Sequence, residues 1–137
     1  MSLDIEQSER EGIVLLHLNG RLIVGEPVTE LRARIAALSE QGSNKVALNF
    51  AKVDYIDSTG LGGMVIGYTT LKKAGGALKL VSLNRRNVEL LELTKLDGVF
   101  ETFEDDQSAV NSFFPGREIK KFDILDFVQG QEEGTEK

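Results

Sequence analysis

Apolar residues recur along this chain in two rhythms, and the rhythms alternate. Leu3 and Ile5 alternate with polar neighbours, as an edge strand does. After the polar connection 9–12, the near-continuous run IVLLHL at 13–18 reads as a buried strand, and the shortness of the connection predicts an antiparallel hairpin. In the segment 26–42, Val28, Leu31, Ile35 and Leu38 are spaced three, four and three apart, one stripe of a helix with Pro27 in its first turn and Gly42 at its end. The run KVALNF at 45–50 predicts the next strand. A second helix, opened by DSTG, carries Leu61, Met64, Val65, Tyr68 and Leu71 on one face and stops at Gly75 and Gly76. Then come a strand at 77–83, a short helix at 87–93 ahead of Gly98, a short strand at 99–103, and a last helix at 105–114 with an acidic first turn. Pro115 and Gly116 break the pattern.

Strands alternating with helices predict an α/β domain. The expected fold is a mostly parallel sheet of four to five strands, with an N-terminal antiparallel hairpin and helices packed against it. The domain is expected at 1–114, with an extension at 115–129 and a disordered tail at 130–137. In the extension, Ile119, Phe122, Ile124, Leu125, Phe127 and Val128 are too apolar for a free end. They pack on their own domain, or they cover a subunit or partner, a homodimer among the options.

Composition narrows the chemistry. The chain has 137 residues, no cysteine and one histidine. That scarcity argues against a metal site and against Ser-His-Asp or Cys-His nucleophiles, so no catalysis and no cofactor are expected. His17, inside an apolar strand, reads as a buried, hydrogen-bonded structural residue. The net charge of −6 argues against sequence-independent nucleic-acid binding, which needs clustered Lys and Arg. No signal pattern opens the chain and no apolar run approaches the roughly twenty residues that span a bilayer, so a cytoplasmic protein without membrane insertion is expected. A P-loop would need Gly-Lys-Ser/Thr, and GLGGMV lacks the third glycine of a dinucleotide fingerprint. Nucleotide binding rests only on the anion-friendly start of the second helix.

The stretch DYIDSTGLGG at 54–63 stands apart. It sets two hydroxyls at a strand-to-helix turn and follows them with glycines that each cost about 1 kcal/mol relative to alanine in a helix interior. Asp57 or Ser58 as N-cap explains the polar residues but not Gly60, Gly62, Gly63 and Gly67. Either backbone packs closely on backbone there, or a bare surface around Ser58 lets a second protein approach. Phosphorylating Ser58 would add about −1.5 to −2 charges. A helix N-terminus tolerates an anion, whereas an interface laid over the same spot would bury a charge without a partner.

The pattern VDYIDSTGLGGMV resembles the STAS family, and within it the bacterial anti-sigma factor antagonists. The flanking order agrees over residues 3–113: hairpin, LNGRL before a helix, LNF before the motif, KKAGGALKLVSL after it, NVELLEL further on. The resemblance implies a non-enzymatic switch. Unphosphorylated, such an antagonist binds an anti-sigma factor that is also a serine kinase and frees the sigma factor; phosphorylation ends the binding and a PP2C-type phosphatase restores it. It implies Ser58 as phosphoacceptor, with Thr59 as second choice, and Asp57 framing it. Gly60 and Gly62 would keep the approach open, Leu61 would anchor the helix, and Asn49 would end the preceding strand. Arg85 and Arg86, expected on the same edge of the sheet, are read as a solvated pair or as contacts to the kinase or the phosphate. This chain departs from the pattern in three places. Ile23 stands where such antagonists carry an acidic residue, Gly63 replaces a bulkier apolar residue, and 114–137 has no counterpart. STAS-like domains also serve as non-phosphorylated scaffold subunits of stress-signalling or membrane-transport complexes, which is the alternative function.

Overall fold

A computed structural model describes residues 3–117. Nine elements follow one another: β1 (Asp4–Arg10), β2 (Ile13–Leu22), α1 (Glu26–Glu40), β3 (Lys45–Ile56), α2 (Ser58–Lys73), β4 (Ala77–Val81), α3 (Arg85–Leu93), β5 (Thr102–Phe103) and α4 (Asp106–Asn111). The five strands form one sheet in sequence order. β1 and β2 pair antiparallel as a hairpin, and β2, β3, β4 and β5 run parallel. The α/β expectation therefore holds, with five strands. Of the expected extension and tail, all but 115–117 lies outside the described residues.

Sequential parallel strands joined by right-handed crossovers send every connecting helix to the same side of the sheet. α1, α2 and α3 accordingly share a core with one sheet face, built on Leu16, Leu22, Leu48, Phe50, Leu31, Ile35, Met64, Leu71 and Val88. α4 follows the last strand with no further crossover, and it covers the opposite face. There Ala109, Val110, Phe113 and Phe114 meet Ile13, Leu15, Ala47, Val81 and Phe103. Lys79 lies beneath them. Its ammonium contacts Glu101 at 3.1 Å and the Ser112 hydroxyl at 2.8 Å, and sits 4.2 Å from the Phe113 ring centroid. At the hairpin turn Arg117 pairs with Glu11 through both of its amino nitrogens. That hydrogen bonding holds the Glu11 carboxyl below the ordinary carboxylate range.

Three sequence expectations need correction. β3 continues to Ile56 rather than ending at Phe50, and Asn49 sits inside it rather than at its end. The register with β2 slips between His17 and Asn19 and again between Gly20 and Arg21, each time with an extra residue on β3. The slips break the alternation that reading by period relies on. At the first, the Asn49 side chain accepts the amide of Ala51 at 2.9 Å. His17 is hydrogen-bonded, through Nε2 to Asp106 at 2.7 Å, but its side chain is 38% exposed rather than buried, because it sits beside the first residue of α4, at the margin of the apolar cluster over Ile13 and Leu15. Strand β5 takes only Thr102–Phe103 of the expected 99–103. No helix among the described residues is long and apolar enough to cross a membrane.

Candidate functional site

α2 begins where β2 and β3 end, at the carboxyl edge of the sheet, the customary place for ligands and partners of open α/β folds. The turn is held by Asp57. Its Oδ1 accepts the Gly60 amide at 2.7 Å as N-cap, and its Oδ2 accepts the Val24 amide at 2.9 Å from the loop between β2 and α1. One carboxylate thus fixes both the first turn of α2 and the loop beside it, so the cap is Asp57 and not Ser58. Gly25, at φ +104°, ends that loop in a conformation that favours glycine.

With its cap duty taken, Ser58 is the first helical residue and is exposed, as is Thr59. Their two amides, first and second of the helix, have no acceptor inside it by helix geometry. An anion on Ser58 would therefore meet free donors and the positive end of the α2 dipole.

The glycines divide into two kinds. Gly60 is buried, and a Cβ there would lie 2.1 Å from the Leu22 carbonyl oxygen. Its bareness lets the helix start sit on the end of β2; it opens nothing to the outside. A Cβ on Gly63 would meet Val28 at 2.9 Å and one on Gly67 would meet Ile35 at 2.8 Å, so these two let α1 and α2 close on each other. Gly62 differs: it is exposed, and nothing lies within 4 Å of a Cβ built on it. The fold does not need glycine there. Leu61 is buried at 6% and anchors the helix from within.

The structure brings Asp57, Ser58, Thr59 and Gly62 to one surface and turns Gly60 and Leu61 inward. Arg85 bonds its own helix, through Glu89 at 3.0 Å. Arg86 lies 5.9 Å from the Tyr55 ring centroid, at the end of β3 that leads into Ser58. Asn84 caps α3 and reaches across to the Val53 carbonyl at 3.1 Å, which holds that helix start against β3. Sequence reading missed the exposed apolar residues of this region: Val24 at 64%, Tyr55 at 42% and Ile66 at 45%. Ile66 carried a signal, since it falls off the stripe of Leu61, Met64, Val65, Tyr68 and Leu71. Val24 carried none, because its exposure depends on the tie to Asp57.

Residues 4–109 match the family model described as STAS domain. The chain is 30% identical over 111 residues to the anti-sigma-B factor antagonist of Bacillus subtilis (strain 168), covering 80% of this chain and 99% of that protein. Among solved structures, the crystal structure of Thermotoga maritima TM1081 superposes with a TM-score of 0.74 at 26% identity, covering 79% of this chain and 92% of that one. The fold also matches the anti-sigma factor antagonist SpoIIAA in its unphosphorylated form, with a TM-score of 0.63 at 21% identity, 84% of this chain and 99% of that one. The phosphorylated form of SpoIIAA matches with a TM-score of 0.62, at 21% identity over 81% of this chain and 98% of that one.

Proposed function

Because the chain belongs to the STAS domain family, we propose that it is an anti-sigma factor antagonist switched at Ser58. In this reading the unphosphorylated protein binds an anti-sigma factor that is also a serine kinase, and so releases the sigma factor. Phosphate on Ser58 ends the binding, a PP2C-type phosphatase restores it, and the protein performs no catalysis of its own. The contact surface is formed by Asp57, Ser58, Thr59 and Gly62, with Gly60 and Leu61 seating the helix from behind and Arg86 at the margin.

The observation that carries this reading is the pairing of an exposed, uncommitted hydroxyl with a glycine that the fold does not require. Ser58 and Gly62 are four residues apart, hence on one face of α2. A Cβ at Gly62 would meet nothing within 4 Å, so packing inside the domain does not call for glycine there, and a bare surface for a partner does. Phosphate at Ser58 faces unbonded amides, and the fold tolerates it. Across an interface an unmatched or like charge costs several kcal/mol. At about 1.4 kcal/mol per tenfold, about 3 kcal/mol already amounts to roughly a hundredfold loss of affinity.

The test is incubation of the purified protein with its anti-sigma factor and ATP, with the modified site mapped by mass spectrometry. Phosphate is expected on Ser58. Ser58→Ala should change stability by less than about 0.5 kcal/mol, as an exposed residue outside the cap, and should bind constitutively; Ser58→Asp should bind about a hundredfold more weakly. Labelling elsewhere with Ser58 untouched, or full affinity in Ser58→Asp, refutes the reading.

A further inference from the structure

The face of α2 that carries Ser58 does not end at Gly62. Helical spacing places Ser58, Gly62, Ile66 and Thr70 in one row. Ile66 is 45% exposed. The hydroxyls of Thr69 and Thr70 donate to the carbonyls of Val65 and Ile66 at 3.0 and 2.9 Å, so both are already bonded within the helix. Beside this row runs α1. Between the helices lies a groove of about 340 Å³ lined by Thr29, Ala33, Ala36, Ile66 and Thr70, with buried Ile35 and Gly67 below. Arg32 is the one charged residue along it, and it enters none of the ion pairs found among the described residues.

A specific interface covers about 800 Å² on each partner. Ser58 and its immediate neighbours supply a small part of that. The groove adjoins them, since a rise of about 1.5 Å per residue puts Thr70 roughly 18 Å along the axis from Ser58. Its lining is mostly apolar, and its single charge is a cation.

We propose that the anti-sigma factor that engages Ser58 also lays an amphipathic helix in the α1–α2 groove. Small apolar side chains of that helix rest on Ile66, Ala33 and Ala36, and a carboxylate meets Arg32. This inference rests on the reading of Ser58 given above. It implies that affinity is distributed along α2, while the switch sits at one end of it.

The test uses the full chain and its purified anti-sigma factor, titrated by calorimetry. Ile66→Lys and Arg32→Glu change exposed positions, so thermal melts should match the wild type. Each is expected to weaken binding at least tenfold, and a carboxylate-to-lysine change on the partner helix should restore affinity for Arg32→Glu. If both variants bind within twofold of wild type while Ser58→Asp binds about a hundredfold more weakly, the groove is unused and the Ser58 reading stands alone. If the variants keep kinase binding and lose only dephosphorylation, the groove belongs to the phosphatase and this proposal fails. If the unmodified wild type does not bind the anti-sigma factor, both readings fall together.

Discussion

Alanine at Gly60 and alanine at Gly62 are the same substitution, two residues apart on one helix, and they should move stability in opposite directions. At Gly60 the added Cβ would lie 2.1 Å from the Leu22 carbonyl oxygen and 2.9 Å from the carbonyl carbon. Backbone cannot swing aside as a side-chain end can, so α2 must lift from β2 by roughly 1 Å, an overpacking cost of about 1–3 kcal/mol. The same Leu22 oxygen accepts the Asp57 amide at 3.2 Å, and stretching that bond adds roughly 1 kcal/mol. The gain in helix propensity returns about 1 kcal/mol, which leaves a net loss of about 1–3 kcal/mol. At Gly62 there is no neighbour to displace, and the propensity gain of up to about 1 kcal/mol stands alone. For a domain of this size 1 kcal/mol is about 4 °C in Tm. Urea denaturation and thermal melts followed by far-UV circular dichroism should show Gly60→Ala lower by roughly 4–12 °C and Gly62→Ala higher by up to about 4 °C. A Gly60→Ala protein as stable as wild type, or a Gly62→Ala protein clearly less stable, would refute the division of the glycines into those that seat the helix and the one that does not.

Other outcomes follow from the same contacts. Asp57→Ala removes the acceptor of both the Gly60 and Val24 amides and should cost about 1.5–3 kcal/mol in urea denaturation, counting a cap and a second hydrogen bond. Lys79→Met should be neutral within about 1 kcal/mol, since the apolar chain refills the space between Phe103 and Phe113 and the Ser112 hydroxyl keeps its bond to the Ala109 carbonyl. Lys79→Ala should lose about 2 kcal/mol or more by leaving a cavity, and equal stability of the two variants would contradict this account. Because Arg117 lowers the Glu11 pKa in the folded protein, the pair's contribution is present above the ordinary carboxylate range and is lost as pH falls through the lowered value. The difference in Tm between wild type and Glu11→Gln should therefore be visible near neutral pH and vanish well below that range.

Most of the layout was legible in the residue pattern, because helix and strand periods differ and each buried face repeats its own. The hairpin, the order of elements and the inward stripe of α2 all follow from it. The second half of β3 was not legible: Ala51, Lys52 and Asp54 interrupt the alternation, and only pairing with β2 across two slips makes a strand of them. The apolar neighbours of His17 in β2 predict burial, but burial depends on what covers a face, and only the first residue of α4 lies against His17.

At the candidate site the sequence by itself determined which residues stand at the helix start, and it marked four glycines as unexplained by helix propensity. It could not rank Asp57 against Ser58 as the cap. It could not separate Gly60, Gly63 and Gly67 from Gly62, or find Val24 and Ile66 exposed. Those were decided by how α2 lies on β2 and α1, which brings together atoms far apart in the chain. Local propensity and period are properties of neighbours in sequence, whereas the room left for a Cβ and the exposure of a hydroxyl are set by neighbours in space.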